Sequence, residues 1–376
     1  MTERSDVFEG DLSAVFGVDA SHEEIAAKFE RETYRGREYH HLPDERHGIE
    51  RGTVLIDDVV VPGFPSIPRV LVLDPGVPEY FDGPVAIEEK LNGYNVRIAS
   101  VDGDLLAFTR SGYVCPYTTD LVRDDPFTDF LADYPDLTVC GELVGPENPY
   151  TAHDYAEVEG AELRVFDLRE NRTGTPLDVE TRYEYCETYD LPATPRFGVH
   201  DSETIVDEVA ATIEELDDRG REGVMLKSLD GTRQLKYTTS AIHREDLAHA
   251  FGQPFDYGRE FVFARVIREA FQAAELDETD AETRERARKL GEAILLPAVE
   301  AIEAVESGEV VGQEHVIRGD VTAIESLLAL FRSVGLHLDV EDDYYDDGER
   351  VVRFHKVATA SQDKIEHYLD GGTIDQ

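Results

Sequence analysis

The chain has 376 residues, with 81 Asp and Glu against 36 Lys and Arg and a formal charge of −45. Its length suits two or three domains, and 41% hydrophobic residues with 17 Tyr and 17 Phe can fill real cores, which excludes a disordered acidic protein. No apolar run approaches the roughly 18 residues that cross a membrane, and the charged start MTERSDVFEG lacks a secretory core. Three distant cysteines, Cys115, Cys140 and Cys186, argue against a disulfide framework or a cysteine zinc site and fit a reducing cytoplasm.

Ser21 and Glu24 form a capping box for a helix over 22–33. The β-rich runs TVLIDDVVV (53–61) and RVLVL (69–73) follow, giving a small N-terminal module over 1–84. Residues 85–240 alternate strands and helices. VAIEEKLNGYNVRIASVDGDLLAFTRSG holds two or three strands with Asp102-Gly103 as a hairpin turn. Further strands are predicted over 137–144, 162–168, 222–228 and 233–237, and helices over 178–188 and 203–218. Helices scattered among antiparallel-looking strands indicate an α+β class. Residues 241–335 read as a helical module: a long amphipathic pattern broken at Pro297, a loop between Gly308 and Gly312, and an apolar stripe ending at Gly335. Residues 336–376 form a small C-terminal α/β unit, with β character around an acidic turn, EDDYYDDGE.

The acids are spread along the chain, and of the basic residues 29 are Arg and only seven Lys. This pattern looks like a surface adapted to molar salt. There the Debye length is only ~3 Å, so the net charge does not exclude a polyanionic partner. Where surfaces avoid Lys, the survivors mark places where an amine is required. Arg can supply charge but cannot readily lose its proton and act as a nucleophile. Three of the seven, Lys90, Lys227 and Lys236, fall on strand-like segments of the central domain. Lys90 sits in EEKLNGYNVR before the Asn92-Gly93 turn, followed by FTRSG with Arg110, CGELVGPENPY with Glu142, RVFDLR with Phe166, REGVMLK with Glu222 and Lys227, and QLKY with Lys236.

This ordered set resembles the covalent nucleotidyltransferases: ATP-dependent DNA and RNA ligases and messenger-RNA capping enzymes. Asn95, where DNA ligases and capping enzymes usually carry Arg, is similar to RNA ligases. KLNGYNVR, GELVGPENPY, the β-rich start and the helical tail look like the archaeal homodimeric ATP-dependent RNA ligase family, here in a haloarchaeal-type sequence. The resemblance implies an α+β nucleotidyltransferase (ATP-grasp-like ligase) catalytic domain over 85–240, with the helical module making the dimer. It also implies ATP as AMP donor, Mg²⁺ or Mn²⁺, and RNA with 5′-phosphate and 3′-hydroxyl ends, including ends joined into circles.

The chemistry of the residues agrees. An amine must attack the α-phosphate of ATP, and cations at Lys227 and Lys236 with bound metal would favour its free-base form and neutralise phosphate charge. Phe166 could stack on adenine, Glu142 could accept from ribose hydroxyls, and Glu222 could hold the metal. Glu88 or Glu89 is the candidate for the adenine amino group. By resemblance Asn95 and Arg110 contact phosphate or the RNA end. The closing strand has Thr238 where a second lysine is usual, and Arg233 is the candidate replacement. Arg97, Arg110, Lys227, Arg233 and Lys236 are expected on one face. The alternatives are a DNA ligase or capping enzyme, which normally adds an OB-fold after the last lysine strand, and a non-catalytic RNA-binding dimer.

Overall fold

The computed structural model describes residues 8, 10–123, 126–151, 153, 155–201 and 204–373; most of the charged N-terminal stretch lies outside them. Two short helices open the fold, α1 (Leu12–Phe16) and α2 (His22–Ala26). The Ser21–Glu24 capping box forms, with Ser21 N–H donating to the Glu24 carboxylate at 3.0 Å. The helix predicted to reach residue 33 stops at Ala26. Beyond it β1 (Glu30–Tyr34) pairs antiparallel with β2 (Arg37–His41), across a turn at Arg35 and Gly36 with φ 49° and 83°. Gly36 supplies the positive φ of such a turn, but Arg before it hides the signal. β3 (Val54–Ile56) and β4 (Val59–Val61) complete a four-stranded sheet. The strand expected over 69–73 is reduced to one bridge, Arg69 to Lys236, before α3 (Gly76–Tyr80).

Then come β5 (Val85–Lys90), β6 (Tyr94–Val101) and β7 (Asp104–Thr109), with Asp102 and Gly103 both at positive φ in the expected turn. α4 (Pro116–Leu121) and α5 (Pro126–Asp133) lead to β8 (Leu137–Val144), β9 (Glu162–Glu170) and α6 (Val179–Thr188). β10 (Arg196–His200), α7 (Ile205–Asp218), β11 (Gly223–Ser228) and β12 (Gln234–Thr238) follow. They form two antiparallel sheets, β10-β5-β11-β12 and β7-β6-β8-β9.

Next are α8 (Ser240–Gly252), α9 (Arg259–Glu275) and α10 (Asp280–Ser307). α10 runs unbroken through Pro297, where the sequence predicted a break. A proline costs an internal hydrogen bond, but α10 packs along α8 and carries a capping box at Thr279. β13 (Gly312–Gly319) is a strand the sequence did not reveal, followed by α11 (Val321–Ser333). β14 (Leu338–Asp346), β15 (Glu349–Val357) and α12 (Thr359–Leu369) end the fold. Most of the acidic EDDYYDDGE is therefore strand, since exposed β14 leaves its carboxylates in solvent.

Val96, Ile98, Val139 and Leu143 of β6 and β8 share one core with Phe127 and Phe130, and with Ile317, Leu327, Phe331 and Phe354 from beyond residue 310. On the opposite face of β6, Ala99 and Val101 pack against Tyr39, Val54 and Val61 of the N-terminal sheet. Arg97 lies on that face too, fully buried. Its guanidinium donates to the carbonyls of Gly52 (2.8 Å), Pro62 (2.7 Å) and Thr109 (2.6 Å). No helix among the described residues is long and apolar enough to cross a membrane.

Candidate active site

Strand alternation decides which side chains meet. In the register of β5, β11 and β12, Lys90 lies level with Gly223 and Thr238, Glu88 with Met225 and Lys236, and Ala86 with Lys227 and Gln234. These residues share one face. Val85, Ile87, Val224 and Leu226 take the other and fill a core with Val209 of α7. In the second sheet Asn95 stands opposite Glu142. A cavity of about 280 Å³ lies where the two faces meet, lined by Lys90, Asn95, Arg110, Glu142, Phe166, Lys227 and Lys236. Phe64, Pro65 and Ile67, from the segment before β5, complete its wall.

Gly93 lets the backbone after Lys90 come close: a Cβ there would lie 2.3 Å from the Leu143 carbonyl oxygen. Its N–H also donates to Glu142. Burial pushes the Glu142 carboxyl up to about 7, with Lys90 opposing and Glu222 reinforcing the shift. Lys90 Nζ is held by the Glu222 carboxylate at 2.6 Å. Lys227 is not a free cation beside it, because it pairs with Glu88 at 3.0 Å. The Lys236 ammonium has no hydrogen-bond or ion-pair partner among the described residues. Burial, then the charges of Arg69 and Lys90, pushes it down to about 8.

Phe166 sits at a bulge. Cys140 pairs with Asp167 and Gly141 with Val165, leaving Phe166 without a partner on β8. Its carbonyl instead accepts from Lys227 Nζ (2.5 Å) and from Arg182. Its ring meets Phe64 edge-on, with centroids 5.1 Å apart. Arg182 also forks onto Glu88, so Glu88, Lys227 and Arg182 make a buried triad that fixes the bulge. Burial alone would raise the Glu88 carboxyl, but Lys227 and Arg182 outweigh it and hold it ionised. Arg182 escaped the sequence reading. Its signal is a cation between Val179 and Cys186 on the buried stripe of α6.

The places of Arg97 and Arg233 differ from expectation. Arg97 shares the Asn95 face but is covered by the loops that carry Gly52 and Pro62, so it cannot meet a ligand. Arg233 turns outward to Asp82 (2.7 Å) and the Tyr80 carbonyl, in a different hollow. The five cations therefore do not converge; Arg110, Lys227 and Lys236 do. Glu89 points its carboxylate to the opposite face from Lys90, 3.6 Å from Arg221. Glu88 shares the strand face of Lys90, but its carboxylate is taken by Arg182 and Lys227, whereas Glu89 borders the cavity through the rest of the residue; the geometry leaves the choice between them for adenine open.

The Asn95 carbonyl oxygen is buried without a hydrogen-bond partner, and the cavity gathers cations in a strongly acidic protein. The side-chain oxygen, Oδ1, calls for a donor and the cations call for an anion, which together fit a polar ligand carrying both kinds of group. Among the described residues no group of three or more His, Cys, Asp or Glu could hold a metal. Mg²⁺ usually keeps waters and takes one or two carboxylates plus substrate phosphates, and Glu222, 2.6 Å from Lys90, is a carboxylate that could serve as one of them.

Residues 83–239 match the RNA ligase family, and residues 249–372 match the family described as the ligase Pab1020 C-terminal region. The chain is 38% identical over 372 residues to an uncharacterized protein of Methanocaldococcus jannaschii, covering 94% of each chain. A solved archaeal ATP-dependent RNA ligase, in two forms, is similar with a TM-score of 0.90 and 41% identity, covering 96% of this chain and 98% of that one. A structure described as a putative ATP-dependent DNA ligase from Aquifex aeolicus has a TM-score of 0.87 at 28% identity, covering 94% and 98%. The mixed architecture is that of a ligase nucleotidyltransferase, and the lysine-lined cavity lies within the matched region. The chain belongs to the archaeal ATP-dependent RNA ligase family.

Proposed function

We propose that the protein seals RNA through a lysyl-AMP at Lys90. The observation that supports this best is Lys90 at the mouth of a cavity shared with Asn95, Glu142, Phe166 and Lys236, its amine held by a single carboxylate. The Lys90 nitrogen attacks the α-phosphorus of ATP, and the bond to pyrophosphate breaks. AMP then passes to an oxygen of the RNA 5′-phosphate. The 3′-hydroxyl oxygen attacks that phosphorus and AMP leaves. Phe166 stacks on adenine, Glu142 meets the ribose, and Asn95, Arg110 and Lys236 meet phosphate. A divalent cation at Glu222 supplies charge neutralisation of the phosphates. It would also compete with Lys90 for the same carboxylate.

RNA rather than DNA is favoured by Asn95 and by the helices α8–α10 that follow β12 in place of a barrel. The Aquifex aeolicus relative keeps the DNA reading open to the same assay. The enzyme is charged with labelled ATP and chased with 5′-phosphorylated RNA or DNA strands in high salt. Label should move to RNA at least about tenfold faster. Faster sealing of all-DNA nicks would reverse the assignment, and no labelled enzyme at all would leave the non-catalytic reading. Circle formation is read in the same assay from a single RNA strand.

The homodimer is supported by apolar side chains on α9 and α10 that face solvent, including Phe263 (66% exposed), Leu295 (63%) and Leu296 (53%). Leu295→Glu combined with Phe263→Glu should halve the solution mass measured by light scattering. A wild-type mass of one chain would end the proposal.

Lys236 sets a pH limit. Its charge, which the phosphate contact needs, is lost as pH rises through about 8. Lysyl-AMP formation should therefore flatten or fall above about pH 8. Lys236→Arg, which keeps its charge, should not fall there, and a profile identical to wild type would remove Lys236 from the phosphate contact.

A further inference from the structure

Unpaired positive charge in this acidic molecule extends beyond the cavity. Arg69 lies beside Lys236, joined by a backbone bridge, and donates to Thr238 Oγ1. Arg268, on α9, borders with Arg69 and Thr238 a recess of about 10 Å³, room for a single water, so an anion between the two guanidiniums would lie over its mouth and not inside it. Apart from that single bond, neither guanidinium has a hydrogen-bond or ion-pair partner among the described residues. The two carboxylates whose fields reach both, Glu222 and Asp246, are already taken by Lys90 (2.6 Å) and Arg265 (2.9 Å). Burial, then repulsion from Arg268, pushes Arg69 down to about 10. With 81 acids in the chain, two such neighbours left unneutralised indicate a place kept for an external anion.

The place is also built. Thr238 Oγ1 lies 2.7 Å from His243 Nε2, and His243 Nδ1 lies 2.6 Å from Glu269, which also accepts from Ser240 and Arg286 at 2.7 Å each. Burial pushes His243 down, toward the neutral ring. A neutral ring with its proton on Nδ1 then donates to Glu269 and accepts from Thr238. That leaves the Thr238 lone pair for Arg69. Every hydrogen runs one way, from Arg69 through Thr238 and His243 to Glu269, so Arg69 is held by three elements at once.

We infer that Arg69 and Arg268 form a terminal-phosphate subsite beside Lys236, contributed by residues on either side of the RNA ligase-matching region. It rests on the ligase reading above. Its ligand is a phosphate carrying more than one charge: either the pyrophosphate end of the nucleotide or the 5′-phosphate of the RNA.

Calorimetry on the full chain in high salt separates these sources. One arm uses inorganic pyrophosphate. The other compares a 5′-phosphorylated oligoribonucleotide with the same strand ending in a 5′-hydroxyl. Arg268 makes no bond whose loss should disturb the fold, so Arg268→Ala should melt with wild type; Arg268→Gln is a second variant if it does not. Arg268→Ala should weaken one arm by about tenfold or more. Arg268→Lys should recover part of it, and Lys28→Ala, which removes one exposed charge elsewhere, should change nothing. Loss in the pyrophosphate arm identifies the nucleotide end; loss of 5′-phosphate discrimination identifies the RNA. Binding within twofold of wild type in both arms, or no wild-type binding in either, overturns the inference. If binding depends on Arg268 while Lys90 takes no label from ATP, the subsite stands and the ligase reading falls.

Discussion

Lys90→Ala should abolish covalent labelling by ATP, a loss of at least about a thousandfold, while leaving the protein folded. The amine stands at the end of β5, over the level occupied by Gly223, so no side chain from β11 crowds it. Glu222 is its sole ion-pair partner among the described residues, and both side chains are partly open to solvent, at 21% and 14%. Removing the amine leaves Glu222 partly solvated and lets the buried Glu142 carboxyl take up a proton in place of a lost cation, so the melting temperature should change little. Lys90→Arg should fail as well, because a guanidinium keeps its proton. RNA already carrying a 5′-adenylate needs no lysine nucleophile and should still be joined by Lys90→Ala. The readout is label retained on a denaturing gel. Label retained by Lys90→Ala would place the nucleophile elsewhere and sink the mechanism.

Arg182→Ala should carry the largest stability effect. Glu88 and Lys227 are 1% and 2% exposed, and Arg182 supplies Glu88 with its second cation. Breaking a buried charge network from one side costs roughly 3–5 kcal/mol. The Phe166 carbonyl, already without a strand partner, loses one of its two donors as well. The variant should melt roughly 10 °C lower, and its lysyl-AMP formation should fall with the misplaced Phe166 ring. Thermal unfolding followed by circular dichroism measures the first and single-turnover labelling the second. Melting within a degree of wild type would mean that the triad is not what secures the bulge.

The residues legible in the sequence were those whose neighbours follow from strand periodicity. Lys227 and Lys236 lie on antiparallel neighbours joined by a short turn, and Lys90 ends the strand beside them, so alternation alone brings the three amines to one face. The Asp102-Gly103 turn was equally local. What failed was anything decided by a distant segment. Alternation places Asn95 and Arg97 together, and only the packing of the Gly52 and Pro62 loops separates an open position from a sealed one. Glu88 and Glu89 are adjacent and chemically alike; the register with β11 distinguishes them. Residues 27–33 lost their helical pattern to a hairpin partner, and the acidic EDDYYD segment gained a strand conformation from β15. Arg69 and Arg182 lie in segments without motif content, so their roles emerge only from what surrounds them.

Arg97 has one more consequence, for behaviour across ionic strength. It is a buried cation whose hydrogen-bond partners are peptide carbonyls, with no carboxylate among them. Exposed ion pairs such as Arg288 with Glu285 lose their attraction once the Debye length shrinks to ~3 Å near 1 M salt. A charge bonded to dipoles inside a sealed seam admits no counterions and is hardly screened. The strap between the Pro62 loop and the β6 sheet should thus hold as well in brine as in dilute buffer. Phe64, two residues further along that loop, then keeps the same distance from Phe166 at any salinity the acidic surface tolerates.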